Sequence, residues 1–565
     1  MNAFRISLGL LPALSVGISL YASPLWAQGS LSGYQRIDFS LPSSIERLLI
    51  VDADKDGLAD VLAIAKDEIS LYFQRQDGGF DFKRPDTSVA FSGSSVGWEL
   101  SENYADAQGH KSFSLLALVE GKQVLQWPLQ ERRFGAPLQL LDNLSGFAGS
   151  GINRLHFSRD INNDGIDDLV IPGAGTLQLH VRNVDGSYQQ PIGVLSDMRI
   201  NSNLAIEQSP ERDVGQSLTI PLFELRDVNN DGLPDLISDT QERLDVSLAN
   251  GSGSYFPQTP SFSVDREEIR QRLGRFDVDQ LDFSNLTGIL ALSHEELLQD
   301  VDGDLIDDLL LREGGKVSLF AGTPSGIDFS QARQVLRSGG NVLTVFLHDE
   351  DGDGRKDLWL WRVEPISVGD LFLWLAISGS IKVEAFVYPS EGASFARRPT
   401  RQLTVALKFP SALRMLSSAS EIREQARAIR ESRTIPTLAA SVSGVGSAQD
   451  LLVLLDERIQ VFHNAIAATP APADDRFLAS LNYSRSKNEY EIDVRRIIDE
   501  FEIEQNKELG SVQGRSPDQQ LPLASPMHNG TVVAVRLNGD ARDDLFVFLE
   551  RGKEFSSGML LLSTP

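Results

Sequence analysis

Apolar residues along this chain come in short runs that alternate or cluster and are closed by glycine, asparagine, aspartate or serine. That is the pattern of β-strands separated by turns. Tyr34-Gln35-Arg36-Ile37-Asp38-Phe39 alternates along its length, and a repeating unit follows it. Arg47 to Val51, Val61 to Ile64 and Ile69 to Phe73 read as strand, loop, strand, turn, strand. A fourth strand is predicted in the stretch up to Phe91. Helical spacing is confined to insertions. Ile269, Leu273 and Phe276 recur after Ser263, and Ile422, Ala426 and Ile429 follow a Ser418-x-x-Glu421 capping box. Val494, Ile497, Ile498 and Phe501 suggest a third helix. Leu371 to Ile377 is very apolar but too short to cross a bilayer. A buried helix or strand is expected there in preference to a membrane contact.

The loop inside the first unit carries the chemistry. Asp52, Asp54, Asp56 and Asp60 occupy positions 1, 3, 5 and 9, with Gly57 at position 6. Four carboxylates in one tight turn repel each other unless a cation sits among them. A hard divalent ion that takes six to eight oxygens, Ca²⁺, suits the set. Position 12 is Ala63, inside a strand-like run, where an EF-hand would have a bidentate glutamate. The loop recurs as Asp160, Asn162, Asp164 and Asp168; Asp227, Asn229, Asp231 and Asp235; Asp300, Asp302, Asp304 and Asp308; and Asp349, Asp351, Asp353 and Asp357. Each copy precedes an apolar strand. Leu305 replaces the glycine in the Asp300 copy. Carboxylate count ranks the Asp52 and Asp349 loops as the tightest sites, and Leu305 marks the Asp300 loop as the most easily stripped.

With these loops the chain resembles the FG-GAP (VCBS-type) repeat family, whose best-known members are integrin α-subunit β-propellers. The resemblance implies an all-β propeller in which each repeat is a blade and each Asp-rich loop holds Ca²⁺, giving about five sites. Degenerate units at 106–127, 449–462 and 538–547 bring the visible total to eight blades, with seven as the alternative. The propeller is expected to span 28–565, with insertions near 263–283, 366–380, 411–435 and 484–510. The loop at Asp106 and the one led by Arg536 are expected to hold no metal.

Composition narrows the role. The chain has 565 residues, no cysteine and a net charge of −27, which argues against nucleic acid and anionic membranes as partners. Residues 1–27 have a basic start, an apolar core and a small-residue cleavage site, and read as a signal peptide. The expected location is therefore exported: periplasmic, cell-surface or secreted, with no membrane span in the mature chain.

No nucleophile elbow, phosphate-binding glycine loop or His-x-x-x-His pair is present, so no catalytic residue is assigned. The residues ending the first strand of four loop-bearing units are Arg159, Arg226, Gln299 and His348. In a propeller those positions line the central channel. They are candidates for holding an anionic ligand, and the alternative is that they pair with acids of adjacent blades. The function these features favour is a calcium-binding module for binding, cell adhesion or scaffolding, with a protein or acidic glycan as partner. The alternative is a propeller enzyme, a polysaccharide lyase or hydrolase, acting on an extracellular acidic glycan.

Overall fold

A computed structural model describes residues 30–564 apart from 77–78, 106–110, 148, 198, 204–214, 220–222, 252, 276, 278–281, 340, 410, 412–436, 445–447, 456, 467–488, 494–506, 524–530 and 552–554. The signal stretch 1–27, the degenerate loop at Asp106, the helix expected after Ser418 and the one at Val494–Phe501 lie outside the described residues.

The described chain is nearly all β. It contains eight sheets of four or more strands and one two-stranded ribbon, Arg199–Asn203 with Gly215–Thr219. Most sheets are antiparallel meanders in which consecutive strands pair with their neighbours. The first is Ile45–Val51, Asp60–Ala65, Glu68–Tyr72 and Thr87–Ala90. Its register runs Val51↔Asp60 and Val61↔Tyr72, so the Asp52 loop joins the first two strands as predicted. The loops beginning at Asp160, Asp227, Asp300 and Asp349 occupy the same place in their own sheets.

The chain divides into two compact units. One, Ser44–Thr434 with Thr469–Lys507, holds six of the large sheets. Consecutive sheets there share apolar cores. Leu62, Ile69 and Leu71 pack with Trp98, Phe113 and Leu115. Leu116 and Leu118 pack with Phe157 and Leu169, and Val246 and Phe262 with Leu309 and Phe320. A second strand covered on both faces needs apolar residues at every position, which is why Val61-Leu62-Ala63-Ile64 is a continuous run rather than an alternation.

The other unit, Met1–Ser43, Ile435–Ala468 and Glu508–Pro565, holds two sheets. One is Thr437–Ala440, Gln449–Leu455, Arg458–Ile466 and Gln519–Pro522. The last sheet takes Thr531–Val535, Asp544–Arg551 and Phe555–Ser563 from the end of the chain. Its fourth strand is Tyr34–Pro42, paired antiparallel from Tyr34↔Ser563 to Pro42↔Phe555. These two sheets share a core through Leu452, Val461, Leu545 and Leu561.

Three of the insertions carry helix among the described residues, the third being the single turn Lys507–Gly510. Helix α1, Arg266–Leu273, is N-capped by Asp265, whose side chain accepts from the Glu268 amide, and it buries Ile269. Helix α2, Val368–Ala376, opens with a complete capping box between Ser367 and Asp370. The expectation that α2 is buried fails: none of its residues is buried, and Phe372 is 69% exposed. Its packing is largely Trp374 against Phe409, edge to face at 4.9 Å. The capping box satisfies the first-turn donors and favours a helix whether or not the apolar side chains are covered, which the apolar run alone does not reveal.

Candidate metal loops

All five Asp-rich loops share one backbone. Position 4 takes a left-handed φ in each: Lys55 at 59°, Asn163 at 58°, Asn230 at 59°, Gly303 at 84° and Gly352 at 78°. Position 6 does too, with Gly57 at 90°, Gly165 at 79°, Gly232 at 84°, Gly354 at 85° and Leu305 at 69°. A Cβ at Gly57 would meet nothing within 4 Å, so glycine is favoured there by φ and not by space. Leu305 accepts the same φ at a conformational cost.

Internal hydrogen bonds aim the carboxylates. The position 6 amide donates to the position 1 carboxylate, as Gly57 N to Asp52 Oδ2 at 3.0 Å and Gly165 N to Asp160 Oδ2 at 2.8 Å. The position 7 amide donates to position 5, as Leu58 N to Asp56 Oδ1 at 2.9 Å and Arg355 N to Asp353 Oδ1 at 2.8 Å. Three groups result in which one oxygen per residue lies within 4.8 Å of the others: Asp52, Asp54 and Asp56; Asp300, Asp302 and Asp304; Asp349, Asp351 and Asp353. In the Asp160 and Asp227 loops the position 3 residue is Asn, and its amide nitrogen turns toward position 5. Asn162 Nδ2 lies 3.0 Å from Asp164 and Asn229 Nδ2 lies 3.1 Å from Asp231.

The fit to a cation rests on one further feature. Asp52 Oδ1 and Asp160 Oδ1 are buried oxygens that no hydrogen-bond donor reaches among the described residues. A buried carboxylate oxygen left this way is costly unless a positive charge meets it. The sets led by Asp52 and Asp160 therefore suit a hard cation taking oxygen ligands.

Position 9 behaves differently from its predicted role. Asp60 Oδ2 accepts from Ala53 N at 3.0 Å, and Oδ1 from Gln74 N at 2.9 Å. Asp168 does the same with Ile161 N and Arg182 N, and Asp235 with Val228 N and Ala249 N. Asp308 and Asp357 follow suit. Each is almost fully buried and pins the loop to the end of the third strand. Asp450, in a unit whose other ligands are gone, and Asp544, in a loop whose first ligand is replaced by Arg536, make the same bonds, to Val442 N and Asn464 N, and to Leu537 N and Ser563 N. The ninth aspartate is thus a hydrogen-bonded pin, and the converging oxygens come from positions 1, 3 and 5. Burial is the main reason the Asp60 and Asp168 carboxyls are pushed up to about 7, with the neighbouring loop carboxylates adding to it.

Position 8 supplies links between sheets that the sequence reading missed. Asp167 accepts from Ser101 Oγ at 2.5 Å, on the first strand of the preceding sheet. Asp307 pairs with Arg226, again on the preceding first strand, and its amide donates to Val228 O at 2.8 Å. Asp543 accepts from Ser441 N at 2.6 Å. The doubled Asp-Asp in these loops was the available signal.

Three of the four proposed channel residues meet protein side chains or backbone. Arg226 is held by Asp307, by Glu224 at 2.8 Å and by Leu298 O at 3.0 Å, which is the pairing with an adjacent acid named as the alternative. The Arg159 guanidinium lies over the Phe223 ring at 5.6 Å. His348 stands edge-on to Trp359 at 6.0 Å, and Gln299 lies opposite Asp308 in the ladder. Of the other histidines, His156 Nδ1 lies 2.9 Å from Glu99, a carboxyl that burial pushes up.

No family model matches the chain, and no curated protein matches it. Among solved structures, a lectin of Agrocybe aegerita that recognises non-reducing terminal N-acetylglucosamine is 16% identical, with 64% of this chain and 80% of the lectin covered and a TM-score of 0.27. The WD40 domain of SCAP from fission yeast is 8% identical, with 94% and 99% covered and a TM-score of 0.21. Likeness this slight leaves the architecture to rest on the sheets themselves.

Proposed function

We propose that the chain is an exported, calcium-braced β-propeller of eight blades, of FG-GAP type, whose role is binding: adhesion or scaffolding toward a protein or an acidic glycan. The observation that carries the metal reading is the buried, donorless oxygen at Asp52 and Asp160, within a loop backbone repeated five times. Eight sheets of four or more strands among the described residues, most of them meanders and the last completed by the strand Tyr34–Pro42, support the blade count. In the bound loop, the carboxylates of positions 1, 3 and 5 would hold the ion, and the ion would supply the charge that lets them converge. Its part is structural: it braces the hairpin between the first two strands of a blade and leaves the binding surface to the loops and insertions.

Calcium removal tests this. A site filled at a hundredfold excess over Kd stabilises the folded chain by about 2.7 kcal/mol. Melting in excess EGTA is expected to fall well below melting in calcium. Equal melting in both would end the metal reading.

A further inference from the structure

Among the described residues, arginines from outside reach two of the loops: Arg333 pairs with Asp302 alone of the position 1, 3 and 5 set, at 2.6 Å, whereas Arg132 spans two of those carboxylates in the Asp52 loop. The next sheet contains a two-residue hairpin turn at Glu131 and Arg132, between Gln123–Gln130 and Arg133–Phe134. Both turn residues have left-handed φ, 49° and 61°. Such a turn ordinarily uses Asn-Gly, because residues with a larger Cβ substituent are strained there. Glu-Arg in that position is a local conflict, and conflicts of this kind persist where a side chain has to be delivered to one place.

The place is the acidic cluster of the preceding sheet. Arg132 Nε pairs with Asp54 Oδ2, and Nη2 lies 2.9 Å from Asp56 Oδ2. The guanidinium also lies over the Phe73 ring at 5.1 Å. The hairpin tip is anchored beside it, where the Phe134 amide donates to Thr87 Oγ1 at 3.0 Å. The remaining oxygens of Asp54 and Asp56 accept the Asp56 and Leu58 amides, and Asp52 Oδ2 accepts the Gly57 amide. Asp52 Oδ1 alone is without a donor. A planar fork matched to two carboxylates and stacked on an aromatic ring is a strong arrangement for arginine and one that lysine does not reproduce.

We propose that Arg132 is the resident cation of the Asp52 loop, and that a divalent ion enters this loop only by displacing it. The oxygens it occupies, Asp54 Oδ2 and Asp56 Oδ2, are ones a metal would need. The Asp52 loop, one of the two its ligand charge ranks tightest, then fills only after Arg132 is displaced, later than that charge count gives. It also joins two consecutive sheets through an ion pair sensitive to salt. This rests on the calcium reading only for the order of filling; the arginine pairing stands without it.

The test uses the full chain as wild type, Arg132→Gln and Arg132→Lys. Metal per chain is measured by equilibrium dialysis against calcium chloride and elemental analysis, and melting is followed in EGTA at low and high sodium chloride. Arg132→Gln is expected to hold one more ion per chain than wild type at calcium levels that leave wild type unsaturated. In EGTA it should melt lower than wild type, by a gap that shrinks with salt. Arg132→Lys, which keeps a charge but not the fork, should fall between them, and it serves should the glutamine variant fail to fold. Equal ion counts at every calcium level, with wild type itself binding calcium, would overturn the displacement. Equal melting in EGTA would overturn the pairing. Should wild type bind no calcium at all, the reading of the loops as metal sites fails, and the EGTA melts still decide for or against Arg132 as the loop's cation.

Discussion

Replacing Asp544 by alanine separates the pin from the metal, because Asp544 sits in a loop led by Arg536, where no cation is expected. Its carboxylate is fully buried. Oδ2 accepts from Leu537 N at 2.7 Å, and Oδ1 accepts from Ser563 N at 2.6 Å and Ser563 Oγ at 2.8 Å. Leu537 and Ser563 are themselves 0% and 2% exposed, so neither amide has solvent to fall back on. Each buried amide left without an acceptor costs about 1–3 kcal/mol. The hydroxyl can rotate, and a water admitted to the vacated space recovers part of the loss. Removing a buried carboxylate also relieves the burial that raises its own protonation. Two amides at mid-range less these offsets leave about 3 kcal/mol, or roughly a hundredfold in an opening equilibrium. Hydrogen exchange read by mass spectrometry on peptides covering 531–540 and 558–564 is the assay. Asp544→Ala should speed exchange at both ends of the pin by roughly that factor, equally in calcium and in EGTA. Unchanged exchange would refute the pin. An acceleration present only with calcium would mean that Asp544 works through a metal.

Two other predictions follow from the loops. Leu305→Gly should stabilise the chain by about 0.5–1 kcal/mol, since relief of the left-handed leucine exceeds the added freedom of glycine in the unfolded state; a lower denaturation midpoint in urea would contradict it. In chelator-stripped protein, melting should fall as pH rises from about 5 to about 7.5. Asp60 and Asp168, pushed up to about 7, keep their protons in the folded chain while the unfolded chain, with carboxyls at the ordinary value, has lost them. A metal-free protein that melts higher at the upper pH would show that these carboxyls do not limit it.

Much of this was legible from residue order alone. Repeated carboxylates at positions 1, 3, 5 and 9 before an apolar run marked the loops, because tight turns force charge to be close in sequence when it is close in space. Gly57 and its equivalents announced the bend, and Leu305 announced its strain. The role of position 9 was half visible: Asp450 outlived the other ligands of its loop, which a metal ligand has no reason to do. Contacts between sheets were not visible. Nothing in the spacing of Asp307 and Arg226, or of Arg132 and Asp54, shows that they meet. Those pairs form only once neighbouring sheets are stacked, and their partners lie 81 and 78 residues apart. The exposure of α2 was hidden for the opposite reason, since an apolar run looks the same in sequence whether or not anything covers it.

The strand Tyr34–Pro42 has a consequence for how the protein is made. Its pairing partner Phe555–Ser563 is translated about 500 residues after it, a wait of roughly 25–100 s. Through that interval the segment has no pairing partner, and an alternating strand with Ile37, Phe39 and Leu41 on one face stays open to any passing strand edge. The sheet therefore cannot close until synthesis has reached Phe555–Ser563. A nascent chain stalled short of Phe555 leaves that segment without its partner however well the intervening sheets have folded, which makes it a natural recognition element for holdase chaperones and for quality-control proteases.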